Sequence, residues 1–101
     1  MQVVFRPSAE DDLNALYDYI VRQSGHAEIA FNYVWRLRSA CKTLSDFPER
    51  GIPRNDIRNG LRILVFEKRG VVAYQVTNVV EVIAIFHGGQ DWQSVLLASD
   101  T

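Results

Sequence analysis

Three features of the chain predict an α+β fold in which a two-helix hairpin packs on a small antiparallel sheet. Two long segments in the first half space their apolar residues by three and four. Three apolar runs follow, LRILVFE, VVAYQVT and VEVIAIFH, with connections short enough for hairpins. Between the halves lies FPERGIPRNDIRNG, a stretch of turn chemistry. The predicted order is strand, helix, helix, strand, strand, strand and a short tail (β-α-α-β-β-β), read as one domain over residues 1–101.

Residues 2–6, QVVFR, predict a short strand, ended by Pro7 and placed at one edge of the sheet. Ser8 is the expected helix N-cap, with Glu10, Asp11 and Asp12 in the first turn, where the helix dipole favours negative charge. The inner stripe of this helix is Ala9, Leu13, Leu16, Tyr17, Ile20 and Val21, and Gly25 ends it. A second helix is predicted from His26 to Asp46 with the stripe Ala30, Val34, Leu37, Cys41 and Leu44. The short link between the two predicts an antiparallel hairpin. Phe31 and Trp35 lie one turn apart on a flank of that stripe, which favours second-layer core or sheet contacts over a partner-binding patch. Residues 47–60 are expected to be loop throughout. Strands are predicted at 61–67, 71–77 and 80–87, joined by turns at Glu67-Lys68-Arg69-Gly70 and Thr77-Asn78-Val79. The nearly uniform apolarity of the last strand places it centrally, and Asp91 is the expected cap of a short helical segment, WQSVLLAS.

Composition narrows the function classes. Hydrophobic residues make up 48% and charged residues 23%, the balance of a soluble globular protein. No apolar run approaches the ~20 residues of a membrane span, and the N-terminus lacks signal-peptide character, so no membrane partner is expected. One cysteine excludes an intramolecular disulfide, and a reducing cytoplasm fits. The net charge of −1 argues against direct, non-specific nucleic-acid binding. That average hides a band: residues 50–69 carry Arg50, Arg54, Arg58, Arg62, Lys68 and Arg69 against Asp56 and Glu67 alone. This band is either a solvated loop or a docking surface for an acidic partner.

The chemistry-bearing residues are sparse. His26, His87 and Cys41 fall on different elements, so neither a metal nor another cofactor is expected. Gly88-Gly89 matches no phosphate-binding fingerprint. Cys41 reads as a small core hydrophobe rather than a nucleophile. His87, at a strand end beside two glycines, is expected to be exposed and to titrate near neutrality. A His87–Asp91 hydrogen bond across the turn would order the loop, and without a nucleophile or second base nearby the structural reading outweighs catalysis.

Four stretches then carry a resemblance: DDLNALYDYI, LSDFPERGIPRNDIRNGLR, VVAYQV and VIAIFHGGQDW. Their pattern is a helix, a P-x-x-G-x-P-R loop, a Gly-Leu-Arg strand start, a strand-central Tyr and a terminal His-Gly. Over nearly the whole chain it resembles the ParE branch of the RelE/ParE toxins of bacterial type II toxin–antitoxin systems. The resemblance implies the fold predicted above and a hetero-oligomer with a cognate ParD-like antitoxin, whose C-terminal segment, disordered alone, wraps the toxin's helices and sheet. It implies DNA gyrase as the target, inhibited by protein–protein binding without a catalytic centre. The antitoxin-binding residues expected on this basis are Arg54, Arg58, Arg62 and Trp35, guanidinium groups being suited to bidentate carboxylate recognition. The expected target-binding residues are His87, Gln90, Asp91 and Trp92, in a tail running to Thr101, where Trp92 either anchors the target or folds back over the sheet. RelE-like members, by contrast, are ribosome-dependent mRNA endonucleases with a basic sheet, an Arg after the last strand and a Tyr in the tail. Arg62 can match one such position, with His87 and Lys68 as further candidates. Val71 and Val72 begin the next strand, however, Gln90 stands where the Arg is expected, and no Tyr follows Trp92. A ribonuclease and a non-toxic superfamily member are the two alternatives.

Overall fold

The computed structural model describes residues 1–98. Strand β1 (Val3–Phe5) leads into helices α1 (Pro7–Ser24) and α2 (Ala27–Lys42), and strands β2 (Ile52–Pro53), β3 (Leu61–Phe66), β4 (Gly70–Val76) and β5 (Val80–Phe86) precede helix α3 (Trp92–Ala98). The sheet order is β1-β5-β4-β3-β2. The meander β3-β4-β5 is antiparallel as expected, and β1 occupies an edge, where it runs parallel to β5 with Val3 beside Val80. The sheet is therefore mixed: the helical hairpin carries the chain from β1 to the far edge at β2, and the meander then returns until β5 lies beside β1 in the same sense. The other edge is β2, a fifth strand inside the segment expected to be loop throughout. It spans two residues, and Pro53 fits there because an outer edge needs no N–H.

α1 begins two residues earlier than predicted. Pro7 takes the first helical position, where a missing N–H costs nothing, and Arg6 occupies the N-cap site. Ser8 instead donates from Oγ to the Ile83 carbonyl at 2.9 Å, while an Asp12 carboxylate oxygen accepts the Ile85 N–H at 2.9 Å. The reason lies in strand length: β1 pairs with β5 only as far as Val82, so side chains of α1 complete the edge beyond it. A β-bulge contributes, since Tyr74 lies opposite Val82 and Ala73 opposite Ala84, leaving Ile83 without a cross-strand partner.

Gly25 closes α1 in the left-handed conformation, φ 74°, its N–H bonded to the Val21 carbonyl. α2 ends at Lys42 and tightens into a 3₁₀ turn at Thr43–Ser45, which shortens the predicted helix. The inner faces of both helices, with Ala9, Leu13, Leu16, Leu37, Cys41 and Leu44, pack on Leu64, Val72, Tyr74, Val80, Val82 and Ile85. Burial pushes the Cys41 thiol up to about 12, so it stays protonated in the core. The opposite face of the sheet has its own cluster, Leu61, Ile63, Ala73, Ile83 and Phe86, covered by Leu96 of α3 with Ile57 and Trp92.

Phe31 and Trp35 do not join the second layer. Each is 60% exposed, because the 3.6-residue turn sets both on the side of α2 away from the Ala30, Leu37 and Cys41 stripe that is buried.

The long loop is tied to the core by one side chain. Tyr74, wholly buried, accepts the Gly51 N–H at 2.7 Å and donates its hydroxyl to the Pro48 carbonyl at 2.8 Å. A Cβ on residue 51 would stand 2.6 Å from that hydroxyl oxygen, so only glycine fits. Arg62 adds two bonds from Nη1, to the Glu49 carbonyl at 3.0 Å and the Gly51 carbonyl at 2.7 Å. Replacing Tyr74 by Phe keeps the packing but strands a buried amide and carbonyl, and is expected to cost about 1–3 kcal/mol in urea denaturation. Gly51→Ala is expected to cost at least as much, by steric conflict rather than a lost bond.

Candidate functional site

A concavity lies at the end of the sheet where β5 stops. A cleft of about 450 Å³ lies between the helical hairpin and the β3–β4 turn, with Leu16, Tyr19, Ile20, Ile29, Tyr33 and Arg69 among its walls. A second hollow of about 270 Å³ shares Arg69 and His87 with the first and runs on past Lys68 and Gln90 to Trp92. The two form one groove divided by a ridge of Arg69 and His87. At one wall Tyr33 stacks edge-on against Phe66, 5.6 Å between centroids, and Arg36 lies over the same ring.

The rim is cationic because its neighbours are already neutralised. Arg36 holds Glu67 with two bonds, at 2.9 and 3.1 Å, which joins α2 to the hairpin tip. Arg38 clamps Glu10 in the same way, at 2.7 and 3.2 Å. Among the described residues, Lys68 and Arg69 make no side-chain hydrogen bond or ion pair. The tip that presents them is strained: Glu67 and Lys68 have φ of 46° and 70°, a left-handed backbone that costs a non-glycine residue on the order of 1 kcal/mol.

His87 sits in the groove wall and packs on Tyr19, with 4.8 Å between ring centroids. It is half-buried rather than exposed, and burial holds its pKa below the ordinary histidine value. The carboxylate that acts on it is Asp12, itself raised by burial, whereas Asp91 caps α3 by accepting the Ser94 N–H at 3.3 Å. Among the described residues no His87–Asp91 bond forms. The turn is closed instead by Gln90, whose Oε1 accepts the His87 N–H at 2.8 Å. Gly88 and Gly89, at φ 62° and 81°, make that reversal possible.

The eight residues singled out by sequence therefore divide. His87, Gln90 and Trp92 share the second hollow, with Asp91 beside them as the α3 cap. Arg54 joins them through the tail: it is bidentate on Asp56, at 2.9 and 2.8 Å, reaches Gln93, and stacks 5.4 Å over the Trp92 ring. Trp92 is half-buried over the outer cluster of the sheet, so packing is a role it visibly fills. Arg62 bonds the long loop. Arg58 lines a separate cavity with Arg6, Ser8 and Asp12. Trp35 stands with Phe31 on the exposed side of α2, away from the groove's lining. Residues 99–101, the end of the expected tail, lie outside the described residues.

Sequence reasoning missed Tyr19, Tyr33 and Arg69 as parts of this groove. Tyr19 lies off the apolar stripe of α1, which was the available signal. Among the described residues no group of three or more His, Cys, Asp or Glu side chains converges as a metal site would, and no helix is long and apolar enough to cross a membrane.

The family model for the ParE toxin of the type II toxin–antitoxin system parDE matches residues 3–92. Among solved structures, the chain is similar to one of the chromosomal ParDE toxin–antitoxin system from P. aeruginosa, with TM-score 0.76 and 25% identity over 86% of this chain and 95% of that one. No curated protein matches the chain.

A folded-state pKa of His87 below the unfolded one means that the unfolded chain binds more protons in that interval, so stability falls as pH drops through about 6.5. Urea midpoints measured between pH 7.5 and 5.5 are expected to decline for the native chain. His87→Gln should flatten this decline.

Proposed function

The chain belongs to the ParE toxin family of type II toxin–antitoxin systems, and from that premise we propose that it inhibits DNA gyrase by protein–protein binding and is neutralised by a cognate ParD-like antitoxin. The observation that carries this reading is the groove: an apolar floor with two unpaired cations on its rim suits a peptide better than a reacting substrate. An antitoxin segment that is acidic, partly apolar and disordered alone would lay aliphatic side chains against Leu16, Ile20 and Ile29 and set carboxylates on Lys68 and Arg69. Ordering such a segment on contact costs entropy, which a preformed, strained hairpin tip reduces on the toxin's side.

Of the expected arginines, Arg54 reaches this surface through Trp92, while Arg58 lines a separate cavity and Arg62 bonds the long loop; Arg54 and Arg62 already hold internal acceptors and have fewer donors to offer. Anion recognition therefore rests first on Lys68 and Arg69. The target contact falls at the other end of the groove, on the tail. His87, Gln90 and Asp91 fix where α3 starts and Trp92 braces it, leaving the exposed side chains Val95 and Leu97 as the apolar points a target protein would cover. The activity belongs in the cytoplasm, where both the antitoxin and gyrase would be met.

Purified gyrase is expected to lose supercoiling activity as the antitoxin-free chain is titrated in, and to regain it when antitoxin is added. Val95→Asp and Leu97→Asp should each raise the inhibitory concentration by more than tenfold while the circular dichroism spectrum is unchanged. Undisturbed supercoiling with cleavage of ribosome-bound mRNA would instead establish the ribonuclease alternative. For the antitoxin, Arg69→Glu is expected to weaken binding by about tenfold or more in titration calorimetry, with Arg50→Glu, in the long loop beside Thr43 and outside both hollows, as the control.

A further inference from the structure

The outer face of α2 carries two large exposed aromatic residues. Phe31 and Trp35, one turn apart, leave two large aromatic side chains largely in water. On the same stripe, seven residues to either side of Trp35, stand Glu28 and Lys42. Both are exposed, and among the described residues neither makes an ion pair. Ser39, small and half-buried, lies four residues after Trp35, as Phe31 lies four before it.

This arrangement is its own complement under a two-fold rotation. Laid antiparallel on a second copy with the two Trp35 side chains at the axis, Glu28 meets the partner's Lys42 and Lys42 meets the partner's Glu28. Each Phe31 then falls over the partner's Ser39, where a small residue leaves room for a ring. An isologous contact needs this kind of pairing between residues equidistant from its centre. We propose that the exposed face of α2 is a self-association surface whose occupant is a second copy of this chain, docked antiparallel about a two-fold axis at Trp35.

The helix is about 24 Å long, so the contact is small and belongs with weak or transient interfaces. Dissociation in the micromolar range is the matching expectation. The face is separate from the groove and from α3, so the dimer leaves both free for other proteins and presents two of each.

Sedimentation velocity of the antitoxin-free chain, at low ionic strength and across the micromolar range, tests this. The expected result is a shift from monomer to twice the monomer mass with rising concentration. Trp35→Glu, which places two carboxylates at the axis, should abolish the shift. Glu28→Lys and Lys42→Glu should each weaken dimerisation several-fold, because two symmetric pairs become repulsive, and the double variant should restore it. All three positions are exposed, and circular dichroism checks that each variant folds. A chain that stays monomeric, or a dimer indifferent to Trp35→Glu and to both charge reversals, overturns the proposal. So does a monomer in which Trp35→Glu removes antitoxin binding, which would give the face to the antitoxin.

Discussion

The hydroxyl group of Tyr74 holds together two parts of the molecule that nothing in their local sequence would join. It receives the Gly51 amide and donates to the Pro48 carbonyl from inside the core, so the loop at 47–60 is attached to the central sheet and not merely folded beside it. The site is out of water, where an unmade hydrogen bond carries its full desolvation cost. Burial pushes the phenol above its ordinary pKa and keeps the donor proton in place. The dependencies then run outward: the anchored loop carries Arg54, Arg54 lies over Trp92, and Trp92 with Leu96 seats α3 on the outer face of the sheet.

The arginines show how a chain of net charge −1 can still present a cationic surface. Most of the basic band is engaged at home. Arg54 is neutralised by Asp56, Arg62 bonds backbone carbonyls, and Glu67 is taken by Arg36 of α2. These exposed pairs add little stability, typically well under about 1 kcal/mol each. Their effect is selective: they remove charge from the surround and leave Lys68 and Arg69 as the cations at the groove. A face built in this way favours an acidic peptide over a phosphate backbone, which would require a continuous basic track.

Much of the architecture was legible because it rests on short-range rules. Apolar spacing located both helices, the alternation and length of the last three runs located their strands, and Asp91 does cap α3. What the sequence hid depends on long-range complementation. Ser8 suits an N-cap by type, but the β5 edge, left unpaired beyond Val82, claims its hydroxyl. β2 is two residues of turn-like composition that become a strand only because β3 lies beside them. Phe31 and Trp35 look like core by residue type, but their position around the helix, off the buried Ala30, Leu37 and Cys41 stripe, leaves them in solvent. Sequence proximity points to Asp91, four residues on, as the partner of His87. The carboxylate that faces it belongs to Asp12, brought there by packing of α1 on β5. The P-x-x-G-x-P-R loop and the strand-central Tyr were visible as separate features, and the bond between them is their shared reason.

Native-state hydrogen exchange of the Gly51 amide tests that bond most directly. If the long loop is held as part of the core, this amide exchanges only on global unfolding, with the same free energy and urea dependence as the central amides of β4. Exchange at the rate of an open loop, while β4 stays protected, would contradict the account and detach α3 from the chain of contacts described here.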